Sequence, residues 1–419
     1  MINVQDLKIK AEILPLFDRS LNIYAKNQIL EILETPLKSK EELILRQNIL
    51  KGFISNHKIL REYSYPVLYL NEVYDFLASA ELEDFSEQKL KFKFFTSRSK
   101  KGLYTSKLNQ LVIFFYKLEA HYFSWIDLKL FPVSYSKNIS RIIHFLKGFD
   151  LDKNEKVVRE KGLKDSEIIK LSHLISKLSS KETFSLFWND LFLFEAYLAI
   201  SISVVQNEFT FPSFTDKSLN LTKFYHPLLE NPVKNDLNTR SNVIVLNGPN
   251  MSGKSTLLRA VGLCMYLGHL GIGIPAAAGE IPFCTEFSID INRRDDIHSG
   301  YSHFMTEIIN LKEVVKSATD GNSSFAVFDE LFNGTNVEDA LEICRVTING
   351  LSKFDNCIFF ISTHIQELRD VSNPKISTYH IGCKLVDDKP TFTYELKDGW
   401  SDIRVGRILF QKEGLYDLL

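Results

Sequence analysis

The chain has 419 residues, 45% of them hydrophobic and 24% charged, with a formal net charge of −2. This is an ordinary soluble globular composition with length for two or three domains, and it carries no global basic signal for nucleic acid. Residues 1–240 are mildly basic (net +5) and 241–419 mildly acidic (net −7), an asymmetry that a solvated helical surface explains as well as phosphate contact does. The five cysteines, Cys264, Cys284, Cys344, Cys357 and Cys383, form no CxxC pair. They argue for a reducing, cytoplasmic setting and against a zinc site or disulfide framework. The start, "MINVQDLKIK", lacks the apolar core of a signal peptide.

In chain order, residues 1–205 read as mostly helical. "SKEELILRQNILKGFISNHKILREY" (39–63) carries Leu43, Leu45, Ile49, Leu50, Phe53 and Ile54 at amphipathic spacing, with Ser39 as N-cap. "SRSKKGLYTSK" (97–107) reads as a basic loop. Residues 166–205 return to helical spacing and end in a nearly all-apolar stretch, predicted to be a buried helix. The character changes after Phe211-Pro212: "NVIVLN" (242–247), "SFAVFD" (324–329) and "CIFFIS" (357–362) are short, apolar and β-branched, as expected of central strands covered on both faces. Helices between them imply right-handed crossovers in an α/β layer. The uncharged stretch 260–279 is interrupted by Gly268, Gly271, Gly273 and Pro275. It reads as a helix end and loop under a ligand site rather than a membrane span, and no membrane partner is expected. The predicted class is α + α/β, a helical domain over 1–210 followed by an α/β domain over 211–419.

"NGPNMSGKST" (247–256) fits G-x4-G-K-[ST] through Gly248, Gly253, Lys254 and Ser255. It follows a predicted strand and opens a predicted helix, the context a phosphate cradle requires. Backbone amides and the helix terminus would hold the phosphates, Lys254 would bridge the β- and γ-phosphates, and the Ser255 hydroxyl would ligate Mg²⁺. "FAVFDE" (325–330) ends an apolar strand in two acids, 75 positions after Lys254. Asp329 would hold Mg²⁺ through water and Glu330 would polarise the attacking water. Thr363-His364 end another apolar run, where His364 would reach the γ-phosphate.

These pieces resemble the MutS group of DNA-repair and recombination ATPases, relatives of the ABC ATPases. "GPNMSGKST" (248–256) is similar to that family's phosphate loop, with Pro249, Asn250, Met251, Ser252 and Thr256 completing it and Asn250 facing the nucleotide. "RRDDIHSGYSHFMTEI" (293–308) resembles a family segment whose serine, here Ser302, points at ATP in the opposite subunit. "DELFNGTN" (329–336) and "STH" (362–364) match the acidic strand end and the switch histidine. "YHPLLENPVKND" (225–236) resembles the adenine-side segment, placing His226, Pro227 and Asn235 in register. Weaker resemblances occur at 35–50, like the opening of the core domain, and at 192–205, like the helix returning from the lever arms.

The resemblance implies that 1–210 is a helical core/lever domain and 211–419 a P-loop ATPase domain of the ABC-like MutS type, with ATP and Mg²⁺ as cofactors, a homodimer through the ATPase domain, and DNA as a partner. Several departures count against mismatch reading. No G-x-F-x-E occurs, the two weaker core matches begin about 160 residues apart, and Asn333 stands where a basic residue is usual. The sequence stops four residues after "KEGL" (412–415), where the family continues into a dimerising helix-turn-helix. Two functions therefore stand open: an ATP-driven conformational switch acting on DNA in repair or recombination, and a nucleotide-dependent protein-interaction module that binds no DNA. An ABC or SMC-type ATPase is disfavoured by the missing Leu-Ser-Gly-Gly.

Overall fold

The computed structural model describes residues 2–80, 98–179, 182–249, 252–291, 303–332, 335–371, 373–386, 389–401, 408, 410 and 418. The chain forms two compact units. One comprises Phe17–Glu31 and Leu45–Val205; the other comprises Met1–Leu16, Ile32–Ile44 and Gln206–Leu419. The chain passes between the units four times, the last at Val205–Gln206, and the two N-terminal pieces belong with the C-terminal unit.

The first unit is helical. Its elements are drawn from α1 (Ile23–Glu34), α2 (Lys40–Ser55), α3 (Val67–Ala80), α4 (Arg98–Leu118), α5 (Val133–Lys147), α6 (Leu151–Glu160), α7 (Asp165–Ser179) and α8 (Thr183–Gln206). The Ser39 hydroxyl accepts the Glu42 amide at 3.2 Å, the N-cap bond expected for α2. Helix α8 is buried on nearly every side, as a helix that is apolar all round must be. It is also long and apolar enough to cross a bilayer, and 78% of its apolar window is buried inside the protein. Aromatic rings dominate the packing: Phe187 stacks on Phe145 at 4.1 Å between centroids, and Trp188 meets Tyr74 edge-on at 5.3 Å.

The expected basic loop at 97–107 is a correction. From Arg98 onward it is the first part of α4. Tyr104 and Leu108 are buried and extend the stripe of Leu111, Val112 and Phe115 by one and two turns, so apolar periodicity outweighs the local basic charge. Tyr104 donates to Ser172 of α7 at 3.0 Å, and Lys101 pairs with Asp165 at 2.5 Å.

One ionisable group lies deep in this unit. Glu195 of α8 accepts Asn22 Nδ2 at 2.5 Å and the Tyr63 hydroxyl at 2.8 Å. Asn22 also donates to the Tyr65 hydroxyl at 2.7 Å and caps α1 by accepting the Ala25 amide at 2.9 Å. Burial pushes the Glu195 carboxyl up to about 7, against the opposing hydrogen bonds from Tyr65, Tyr63 and Asn22.

The second unit is a mixed sheet of seven strands in the order β1-β7-β8-β9-β5-β10-β11. These are β1 (Ile2–Asn3), β5 (Val243–Asn247), β7 (Glu286–Asp290), β8 (Ser324–Phe328), β9 (Ile358–Thr363), β10 (Ile376–Val386) and β11 (Lys389–Asp398). All neighbours pair in parallel except β10 and β11, which form an antiparallel hairpin at one edge. The expected central strands β5, β8 and β9 are completely buried. Helices α9 (Lys254–His269), α10 (His303–Thr319) and α11 (Val337–Leu351) join them. A smaller sheet, β2-β6-β3-β4, contains Ser213–Thr215, Ala278–Pro282, Leu219–Phe224 and Asn235–Thr239.

The uncharged stretch 260–279 divides as expected into the end of α9, a turn and the start of β6. Its His269 is fully buried: Nδ1 lies 2.7 Å from the Met265 carbonyl, and Nε2 accepts the Cys284 amide at 2.8 Å. Those partners fix a neutral tautomer, and burial pushes its pKa down to about 4.

Candidate functional site

The site forms where parallel strands end. Asn247 pairs in register with Thr363, Phe328 with Ile361, and Asp290 with Phe328. The carboxyl ends of β5, β9, β8 and β7 are therefore level, and the residues just beyond them share one edge of the sheet, where α/β proteins place ligands.

After β5 the chain turns through Gly248 (φ +154°) and Gly253 (φ +96°). A Cβ on Gly253 would lie 3.2 Å from the Tyr394 ring, and one on Gly248 3.1 Å from the Ser252 hydroxyl. Glycine is thus favoured by dihedral at both positions, and a Cβ there would also be tight. The turn delivers the chain into the amino terminus of α9, whose dipole favours an anion there. Lys254 is 5% exposed. Its ammonium donates to the Gly248 carbonyl at 2.9 Å and the Pro249 carbonyl at 3.1 Å, and lies 3.7 Å from Glu330 Oε1. A buried ammonium needs such partners. Ser255 and Thr256 are exposed on the first turn of α9.

The two acids follow β8. The Asp329 amide donates to the Asp290 carbonyl at 3.1 Å. The buried Ser362 hydroxyl on β9 donates to Asp329 Oδ1 and accepts the Glu330 amide at 2.7 Å. Glu330 and Phe332 adopt left-handed backbone, with φ of +53° and +65°, and the Phe332 amide donates to Glu307 Oε2 of α10 at 2.9 Å. Asn247 Nδ2 donates to the Thr363 carbonyl at 3.4 Å, and the exposed His364 follows at the rim.

Beside the loop lies a cavity of about 370 Å³. Gly253, Thr256 and Leu257 form one wall, Phe224, His226 and Val233 another, and Ile381 and Tyr394 of the edge hairpin a third. His226 is buried, its Nδ1 accepts the Leu228 amide at 3.4 Å, and burial followed by the Arg259 charge lowers its pKa. Pro227 lies in the turn beside it and off the cavity wall. Asn235 lines the cavity, but its carboxamide is engaged with β11, donating to the Tyr394 carbonyl at 3.0 Å and accepting the Leu396 amide at 2.7 Å.

The fold thus brings together Gly248, Pro249, Ser252, Gly253, Lys254, Asp329 and Glu330, and sets His226 and Asn235 on the adjoining cavity. Asn250, Met251, Ser302 and Asn333 lie outside the described residues. Sequence reasoning did not single out Tyr394, Glu307 or Ser362 as site-lining or site-holding side chains. Tyr394 follows a long separation in sequence, and the roles of Glu307 and Ser362 are hydrogen bonds to backbone, which leave no spacing to read.

The sequence model of one family, MutS domain V, matches residues 244–411, from within β5 past the edge hairpin. Among curated proteins, the DNA mismatch repair protein MutS of Wolbachia pipientis is 30% identical over 242 residues, covering 56% of this chain and 28% of that protein. That of Oceanobacillus iheyensis is 27% identical over 249 residues (57% and 27%), and that of Petrotoga mobilis 30% over 257 residues (59% and 31%). Over the matched residues the chain is similar to the MutS family. The chain spans less than a third of the length of each of those three relatives. The domain V match takes in the glycine turn, both acids, the Thr363-His364 pair and Tyr394.

Proposed function

We propose that this chain binds ATP with Mg²⁺ in the turn 248–256 and hydrolyses it, and that the cycle switches the conformation of a DNA-associated protein of repair or recombination. The observation that carries the reading is the meeting of Lys254 with Glu330, 3.7 Å apart, at the level ends of parallel strands beside a glycine turn. The residues fit a triphosphate. The Ser252 hydroxyl is buried with no hydrogen-bond partner among the described residues, so a phosphate oxygen would complete it. They also fit Mg²⁺. No group of three or more His, Cys, Asp or Glu side chains able to hold a metal occurs among the described residues. Mg²⁺ asks only for one or two protein oxygens, here Ser255 and Asp329, with water and phosphate supplying the rest. When bound, the ion neutralises charge on the phosphates.

In this reading the backbone N–H groups of Gly248 and of Ser252 through Thr256 enclose the phosphates. Lys254 exchanges its carbonyl partners for phosphate oxygens. Glu330 orients the attacking water and accepts its proton. His364 stands at the γ-phosphate, and the cavity lined by His226, Asn235 and Tyr394, with Pro227 in the turn beside it, takes the base. Ser302 would act on the nucleotide of a second subunit, making the functional species a cytoplasmic homodimer.

Replacing Glu330 with Gln tests the chemistry: ATP binding should persist while turnover falls by about a hundredfold or more, and wild-type turnover in that variant would sink the assignment. DNA association is tested by fluorescence anisotropy across a salt series, with and without ATP. Affinity that weakens steeply with salt supports phosphate contacts; no binding in either condition favours the protein-interaction module.

A further inference from the structure

The acid-bearing turn after β8 holds an unfavourable backbone. Glu330 and Phe332 both lie in the left-handed region, with φ of +53° and +65°, a conformation that L-residues keep only where their surroundings over-determine it. Two side chains from different elements grip this turn. On β9, Ser362 is fully buried and accepts the Glu330 amide at 2.7 Å while donating to Asp329 Oδ1. The polarity of that chain is fixed: an amide can only donate, so the one hydroxyl proton is left for the carboxylate. On α10, Glu307 is 8% exposed, and its Oε2 accepts the Phe332 amide at 2.9 Å.

We propose that Ser362 and Glu307 are positioning residues, a two-point clamp on the backbone at 330 and 332 that holds the Glu330 carboxylate where it meets the attacking water. The inference rests on the role given to Glu330 above. Neither side chain is assigned contact with the nucleotide; each acts through the turn it holds. One hydroxyl thereby fixes both acids, since removing it frees the Glu330 amide and an Asp329 oxygen together. Glu307 serves as an acceptor, so its carbonyl-type oxygen matters more than its charge.

The test uses the full chain, with steady-state ATP turnover at saturating Mg²⁺ and binding of a fluorescent non-hydrolysable ATP analogue. Ser362→Ala and Glu307→Leu should each lower kcat by about tenfold, the scale of one lost hydrogen bond, while the dissociation constant stays within about twofold. Glu307→Gln retains an acceptor oxygen for Phe332 and should recover most of the rate. In a Glu330→Gln background, Glu307→Leu should change residual turnover by less than about twofold, because the carboxylate it positions is gone. Wild-type kcat in Ser362→Ala overturns the clamp, as does a loss that Glu307→Gln does not relieve, or a full further loss in the Glu330→Gln background. Should Glu307→Leu fail to fold, Ser362→Ala decides. If Glu330→Gln alone turned over at the wild-type rate, the role of Glu330 would fall and the clamp with it. If that variant is inactive while Ser362→Ala is fully active, only the clamp falls.

Discussion

Raising the pH from 5 to 8 should destabilise the helical unit by about 3 kcal/mol through one side chain, Glu195. Its carboxyl moves from an ordinary 4.5 to about 7 on folding, because burial penalises the anion more than the bonds from Tyr65, Tyr63 and Asn22 compensate it. At about 1.4 kcal/mol per pH unit, that difference is worth about 3 kcal/mol. The sign follows from proton uptake. Between 4.5 and 7 the folded state holds a proton that the unfolded chain releases, so stability is fully present below the lower value and is lost as pH rises through the upper one. Tyr63 and Tyr65 are pushed up in turn by burial and by Glu195, so both remain protonated donors across the range. Glu195→Gln removes the titration and should flatten the profile. The assay is urea unfolding followed by tryptophan emission in a Trp400→Phe background, where Trp125 and the buried Trp188 report on the helical unit alone. A wild-type profile that is flat between pH 5 and 8, or an equal slope in Glu195→Gln, would refute the reasoning.

His269 should act in the opposite sense. Its pKa of about 4 gives stability that is present above 6.5 and lost as pH falls toward 4, by about 3 kcal/mol. Acid unfolding of wild type against His269→Gln, followed at Trp400, checks this; coincident curves would contradict it. Lys254→Ala should weaken binding of a non-hydrolysable ATP analogue by about a hundredfold, from the loss of a charged donor to phosphate, and calorimetry giving the wild-type Kd would refute the phosphate role. Tyr394→Ala should weaken ATP by about tenfold, through loss of an aromatic wall, yet leave inorganic tripolyphosphate unaffected. Equal losses for both would separate Tyr394 from the base.

The strands and the glycine turn after β5 were legible because their signals are local. "NVIVLN", "SFAVFD" and "CIFFIS" are short apolar runs next to polar chemistry, and all three became buried parallel strands. Strand β1 was not legible, since two residues pairing with Phe287 and Ser288 carry no periodicity. The start of α4 was misread because Lys100, Lys101 and Gly102 resemble a loop while the decisive contacts, such as Tyr104 with Ser172, come from far along the chain. The same holds at the site. Gly253 and Lys254 announce themselves by spacing, whereas Tyr394 reaches the cavity through a hairpin that Asn235 pins from 159 residues away.

The N-terminal pieces that fold with the sheet have a practical meaning for dissecting the molecule. Asp6 accepts the Ile291 amide at 2.7 Å, the Leu33 carbonyl accepts the Tyr266 hydroxyl at 3.0 Å, and the Leu37 amide donates to the His269 carbonyl at 3.1 Å. A fragment cut at Gln206 would strip β7 of its outer neighbour and leave those buried groups unanswered. A minimal fragment carrying the candidate site would need residues 1–16 and 32–44 restored, supplied in trans or spliced through a short linker.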